Sequence, residues 1–422
     1  MTELRIASDY DKIAATFQRN LSGGRARLAS MLGGHVEVES NGAWLTTGDG
    51  QRFLNFGGYG VFLTGARHPT VVAEVERQLR THPISTRLFL EPTLARAAEM
   101  LTAVTPDGLD RVHFCGSGAE AVETAIKLAR LNGRQHLISM VGGYHGKTMG
   151  ALSVNGRPVF QDPFRPLLPH VAHVPFGDTA ALAAVLEQHP DEACVIVEPI
   201  QAEAGVLIPP EGYLRSVRSL CREYGALLVL DEVQTGLGRL GAWWGAEREG
   251  VCPDILLSGK GLGGGVMPVA AAVTTDELFA VLDRDPLLHT STFSGAPITM
   301  AAVCGALRAI EEDALVERAA VLGELLLRET TRIAKTHLSH HGCEVRGAGL
   351  LIAVEIAEPG VAGELLLDLV NNDVVANLSM NSDYVLRLTP PAVLNDNDVE
   401  FFLERFEAAV RTTARGGSRQ KG

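Results

Sequence analysis

The stretch GALLVLDEVQTGLGR, residues 225–239, drives five apolar residues, Ala226 to Leu230, straight into Asp231. Such a run reads as a buried strand, and its terminal acid then stands at the carboxyl edge of a sheet, where open α/β folds take their ligands. A carboxylate in that position needs a cation. Outward from it, between about residues 110 and 275, further short apolar runs recur: RVHFC, HLISMV, CVIVEP and PVAAAV, with helix-like patterns between them. That alternation predicts βαβ units and a mostly parallel sheet, an α/β fold.

The clearest helix is AEAVETAIKLARLNG, residues 119–133, in which Val122, Ala125, Ile126 and Ala129 fall on one face and Asn132-Gly133 supplies a stop. Residues 300–335 read as helical, EVRGAGLLIAVEI as a glycine turn leading into a strand, and VEFFLERFEAAVRTTA as a last amphipathic helix, which together predict a second, α+β unit. The final residues, 415–422, offer no apolar anchor and are expected to be disordered.

At 422 residues the chain exceeds the size at which one core stops growing. Its 46% hydrophobic and 21% charged residues are ordinary globular usage. Lys and Arg number 37 against 50 Asp and Glu, a net charge of −13 with no basic cluster, which argues against a nucleic-acid partner. No apolar leader opens the sequence and no long uncharged apolar stretch follows, so a cytoplasmic protein without a membrane partner is expected. The six cysteines show no C-x-x-C spacing, so neither a zinc site nor a disulfide framework is expected, and no metal is predicted.

A second stretch raises a chemical question. SGKGLGGG, Ser258 to Gly265, sets Lys260 among five glycines directly after the apolar PDILL. Phosphate-loop readings fail on spacing: a Walker A pattern ending at Gly146-Lys147-Thr148 would need glycine where Val141 stands, and a dinucleotide fingerprint from Gly261 would need glycine at Val266. Lys260 can be a Schiff-base nucleophile whose glycine neighbours let a bound ring approach, or a solvated lysine in a loose loop. Asp231 can hold a pyridinium nitrogen, cap a helix or pair with a side chain. SGAEA, Ser117 to Ala121, opens the amphipathic helix right after RVHFC and reads equally as a phosphate cup at a helix N-terminus or as a capping box of Ser117 with Glu120.

Taken in order, from GAWLTTGDGQRFLNF to LRLTPPAVL, these motifs resemble the class III pyridoxal-phosphate-dependent aminotransferases of the ornithine, acetylornithine, 4-aminobutyrate and putrescine group. GGGVMP and DPLLHTSTF look closest to the putrescine enzymes. The resemblance implies fold type I: a large domain over 56–305 with a mostly parallel seven-stranded sheet, a small domain over 306–414, and a segment 1–55 that joins the small domain. It implies pyridoxal 5'-phosphate as cofactor, attached to Lys260, with Asp231 on its ring nitrogen. Val233 and Tyr144 would lie against the ring and Gln234 near its phenolic oxygen. Ser117, Gly118 and Ala119 would form the phosphate cup, with His145 and Glu198 as further cofactor-binding residues. Thr292 would reach the phosphate in a neighbouring subunit, which implies a homodimer or a pair of dimers. Arg387 would bind the carboxylate of an oxo acid, and Glu203 would pair with it when an amine lacks one. The implied activity is amino transfer between a terminal amine or diamine-like substrate and an oxo acid such as 2-oxoglutarate; the alternatives are an aminomutase, racemase or decarboxylase on the same fold, an aminotransferase for a specialised natural-product amine, aldehyde or ketone, and a binding or regulatory protein that retains the fold. Four positions depart from the family pattern and bear on substrate choice: Ala202, Ala296, Gly116 and Arg67.

Overall fold

Seven strands form the central sheet in the order Arg111–Cys115, Ala270–Thr274, Ile255–Ser258, Leu227–Asp231, Ala193–Val197, His136–Met140, Val171–Val174. This arrangement comes from a computed structural model, which describes residues 9–416. Ala270–Thr274 runs antiparallel to both neighbours and every other pair is parallel, as an α/β fold of this class requires. The apolar runs become the central strands because both faces are covered: every residue of Ala193–Val197, Leu227–Asp231 and Ile255–Ser258 is buried.

Side chains alternate between the two coverings. Cys194, Ile196, Val229 and Leu257 meet Val122, Ala125, Ile126 and Ala129 of the helix Gly118–Leu131. Val195, Val197, Leu228 and Leu230 meet Leu182 and Leu186 of Thr179–Leu186 and Val217 and Cys221 of Tyr213–Glu223. All six cysteines are free thiols, four of them buried. The edge strand Val171–Val174 was not predicted, because VAHV is short and His173 interrupts its apolar run.

A four-stranded antiparallel sheet follows near the C-terminus, ordered Cys343–Ala348, Leu351–Ile356, Ser382–Leu388, Asn377–Ser379. Here EVRGA is itself a strand, so the expected turn-then-strand is a hairpin closing at Gly349. The helical region 300–335 is two helices, Pro297–Glu312 and Leu315–Leu338, broken where Ala314 adopts a left-handed φ of 48°. Near the N-terminus, Glu37–Asn41, Trp44–Thr47 and Arg52–Asn55 form an antiparallel sheet, to which Val374–Val375 adds a parallel strand. The last helix, Asp396–Gly416, includes Arg415 and Gly416, the first two residues of the expected disordered tail; residues 417–422 lie outside the described residues. Among the described residues no helix is long and apolar enough to cross a membrane.

Candidate active site

Register sets Asp231 at the carboxyl edge, beside Leu257 on the next strand, and that strand's continuation carries Lys260. The partner of Asp231 within the chain is His145: Nδ1 lies 2.7 Å from Asp231 Oδ2, both groups are buried, and Asp231 Oδ1 accepts the Val233 N–H at 3.1 Å. Burial works against a charged His145, but the hydrogen bond and charge of Asp231, with Glu198 adding to them, raise its pKa above the ordinary value. Burial pushes Glu198 up to about 7 while His145 draws it down. Its carboxylate accepts the N–H groups of Tyr144 at 3.0 Å and Ala202 at 3.3 Å. Asn155, which sequence reasoning missed, fixes the loop by accepting the His145 N–H at 2.6 Å and donating to the Gly146 carbonyl at 2.7 Å.

Lys260 has a φ of 45°, a left-handed conformation that a side chain adopts at a cost of roughly 1–3 kcal/mol and that clusters at functional sites. Its Nζ donates to Gln234 Oε1. Burial lowers its pKa to about 8; Glu203 opposes that shift and Arg387 reinforces it. Two of the glycines beside it, Gly259 and Gly265, sit against neighbouring side chains. Gly265 turns the chain at φ 68°, and a Cβ there would sit 2.9 Å from the Phe62 ring. Close approach occurs also around Val233, whose Cγ1 would lie 2.9 Å from a Cβ on Gly118 and 3.1 Å from one on Gly259.

The capping reading of SGAEA is observed directly. Ser117 caps the helix by accepting the Glu120 N–H at 3.3 Å, and the Glu120 carboxylate accepts the Gly116 N–H at 2.7 Å. The first-turn N–H groups of Gly118 and Ala119 still lack helical acceptors at the positive end of the helix dipole.

Arg387 lies on the strand Ser382–Leu388, and its Nη1 is 2.8 Å from Glu203 Oε1 with both side chains buried. This is a charge contact without hydrogen-bond alignment: the guanidinium nitrogens have no hydrogen-bond partner among the described residues. Glu203 is held from its other side, where Oε2 accepts the Met380 N–H at 3.0 Å and its carbonyl accepts the Asn381 N–H at 2.9 Å.

A cavity of about 240 Å³ collects these groups: Gly118, Ala119, Tyr144, His145, Glu198, Glu203, Asp231, Val233, Gln234 and Lys260 all line it. Ser117 lines an adjoining cavity of about 350 Å³ that shares Gly118 and Lys260. Arg387 approaches through Glu203, and Thr292 sits on an exposed turn away from both cavities. Gly146 and Lys147 also line the first cavity; sequence reasoning weighed Lys147 only as a phosphate-loop residue and let it go, although it stands two residues after His145. Of the four departures, Ala202 and Gly116 line the cavities. Ala296 stands just before the helix Pro297–Glu312 and makes no side-chain cap, and exposed Arg67 pairs with Glu39 at 3.1 Å.

A family model described as aminotransferase class-III matches residues 30–410. The chain belongs to the class-III aminotransferases. These enzymes use pyridoxal phosphate. Among solved structures the aminotransferase is similar to an ornithine aminotransferase from Toxoplasma gondii, at 29% identity and a TM-score of 0.89 over 98% of this chain and 97% of the other. That structure shows partial occupancy of the cofactor at its active site. It is similar also to an (S)-enantioselective omega-transaminase from Thermomicrobium roseum, at 29% identity and a TM-score of 0.83 over 90% and 93% of the two chains. An acetylornithine aminotransferase from Elizabethkingia anophelis matches at 29% identity and a TM-score of 0.81, over 95% and 98%.

Proposed function

We propose that this aminotransferase moves an amino group from a terminal amine, with a diamine such as putrescine as the type of donor, to an oxo acid such as 2-oxoglutarate. The observation that carries the reading is the setting of Lys260, a half-buried amine lowered to about 8 between the Asp231–His145 pair and the Glu203–Arg387 pair.

The residues fit pyridoxal 5'-phosphate. Buried His145 Nε2 and Gln234 Nε2 have no partner, the cavity holds about 240 Å³, and Val233 leaves no space for a Cβ at Gly118. Gly118 and Ala119, with Ser117, would hold the phosphate at the helix N-terminus; Tyr144 and Val233 would bound the ring, Gln234 its phenolic oxygen and Asp231 its nitrogen; Lys260 would hold it covalently. The bound cofactor supplies an electrophilic carbonyl carbon and a ring that takes up the electron pair left when a substrate carbon loses its proton.

Lys260, displaced by the donor amine, is placed to take the proton from the donor carbon and return it, since a pKa of about 8 makes both its forms accessible near neutral pH. Asp231 would face the ring nitrogen, and His145 Nδ1, 2.7 Å from Asp231 Oδ2, would hold it in place from behind. Arg387 offers unmet donors to the carboxylate of an oxo acid. Glu203 neutralises the same guanidinium while a donor without a carboxylate is bound. Thr292 would complete the phosphate site of a second copy of the chain. In support, exposed Leu88, Phe89, Leu90, Leu287 and Phe293 give the surface apolar residues for a partner subunit to cover.

The test is a donor screen on the cofactor-loaded protein with 2-oxoglutarate, following glutamate. Terminal amines should lead, and Lys260→Ala should abolish repeated turnover. Carbon dioxide release or a rearranged amine in place of glutamate would overturn the reading.

A further inference from the structure

At the amino edge of the large sheet, opposite the edge that carries Asp231 and Lys260, the topology gathers three histidines and a glutamate that the reaction does not use. His136 opens the strand His136–Met140, and His170 and Glu192 each stand one residue before a flanking strand. The backbone fixes both beside His136: the His136 N–H donates to the Glu192 carbonyl at 3.0 Å, and the Leu137 N–H to the His170 carbonyl at 2.8 Å. His189 arrives through the turn His189-Pro190-Asp191-Glu192, closed by the Glu192 N–H on the His189 carbonyl at 3.2 Å.

The result is a converging set of side chains. The rings of His136 and His189 lie 3.7 Å apart and 15° from parallel, with that of His170 4.9 Å from His136. Glu192 Oε2 is 3.7 Å from His136 Nε2, and one ligand atom from each of His136, His189 and Glu192 lies within 4.8 Å of the others. Stacked imidazoles repel one another when protonated.

Two neutral imidazoles and a carboxylate are the donor set of first-row divalent ions, and tetrahedral zinc with bonds of about 2.0–2.2 Å asks its ligand atoms to stand roughly 3.4 Å apart. To reach it, the His136 and His189 rings must turn out of their stack so that both in-plane lone pairs meet one ion, and Glu192 is exposed and able to swing toward them. We propose that His136, His189 and Glu192, with His170 beside them, bind a divalent transition ion such as zinc, which clips the amino ends of three neighbouring strands together. The site departs from the expectation of no metal, which rested on cysteine spacing and took no account of histidines brought together by strand order. It is independent of the amino-transfer chemistry at the other edge.

The test uses untagged, cofactor-loaded protein freed of metal with a chelator, titrated with zinc by calorimetry and with cobalt by visible absorption. One ion should bind per chain, cobalt should give the absorption of a low-coordinate site, and zinc should raise the thermal midpoint. His189→Ala and Glu192→Gln, both at the rim of the cluster, should each weaken binding at least tenfold while leaving metal-free transaminase activity unchanged. Absence of saturable binding, or binding unaltered in both variants, would overturn the proposal.

Discussion

Replacing Glu203 with Gln should make Lys260 more reactive, and replacing Arg387 with Leu should make it less so. In the folded chain Lys260 is lowered from 10.5 to about 8, chiefly by burial. At pH 7 a pKa of about 8 leaves roughly 9% of the amine neutral against roughly 0.03% for an unperturbed lysine, a gain of about 300-fold in nucleophile. Glu203 raises that pKa, because its charge favours the ammonium, and Arg387 lowers it. Removing the carboxylate therefore moves the midpoint below 8. Removing the guanidinium leaves Glu203 with the Lys260 ammonium as its remaining cation and moves the midpoint up. The assay is the pH profile of Lys260 acylation in cofactor-free protein by a small reagent, read on its own peptide by mass spectrometry. A wild-type midpoint at or above 10.5, or both substitutions shifting it in one direction, would refute the reasoning.

Asp231→Asn should retain bound cofactor yet lose turnover by about 10²–10³, the scale of a lost electrostatic contact of roughly 2.7–4 kcal/mol in an enzyme site; unchanged turnover in a steady-state assay would count against the pairing. Thr292 should act across subunits, so mixing Lys260→Ala chains with Thr292→Ala chains should create one intact site per hybrid dimer and partly restore activity. No recovery despite subunit exchange shown by mass spectrometry would assign Thr292 to its own chain.

Fold and site were legible to different depths, for physical reasons. ALLVLD declared its strand because a run buried on both faces needs no polar residue until the chain reaches the sheet edge, and the acid marked where that edge lies. VAHV lay at the sheet's margin, where partial burial tolerates His173 and blurs the signal. The helix break at Ala314 left no trace, since neither glycine nor proline marks it and its left-handed φ depends on how two helices pack. At the site, local motifs carried most of the residues that line the cavity, whereas Asn155, Met380 and Asn381 act through bonds to distant segments that no spacing reveals. The histidines of the amino edge were equally invisible, because strand order alone unites His136, His170 and His189.

The central claim, that one pocket serves a carboxylate-free amine and then an oxo acid, is tested most directly by following each half-reaction in a single turnover. Rapid mixing of the loaded enzyme with a diamine reads the first half by absorbance, and mixing the aminated enzyme with 2-oxoglutarate reads the second. Arg387→Ala removes a charge-assisted contact of roughly 1.5–3 kcal/mol and leaves Glu203 buried beside the incoming carboxylate. The second half should therefore slow by at least about tenfold more than the first, in which only the raised Lys260 pKa acts. Equal loss in both halves, or an α-amino acid proving the best donor of the unmodified enzyme, would contradict the account.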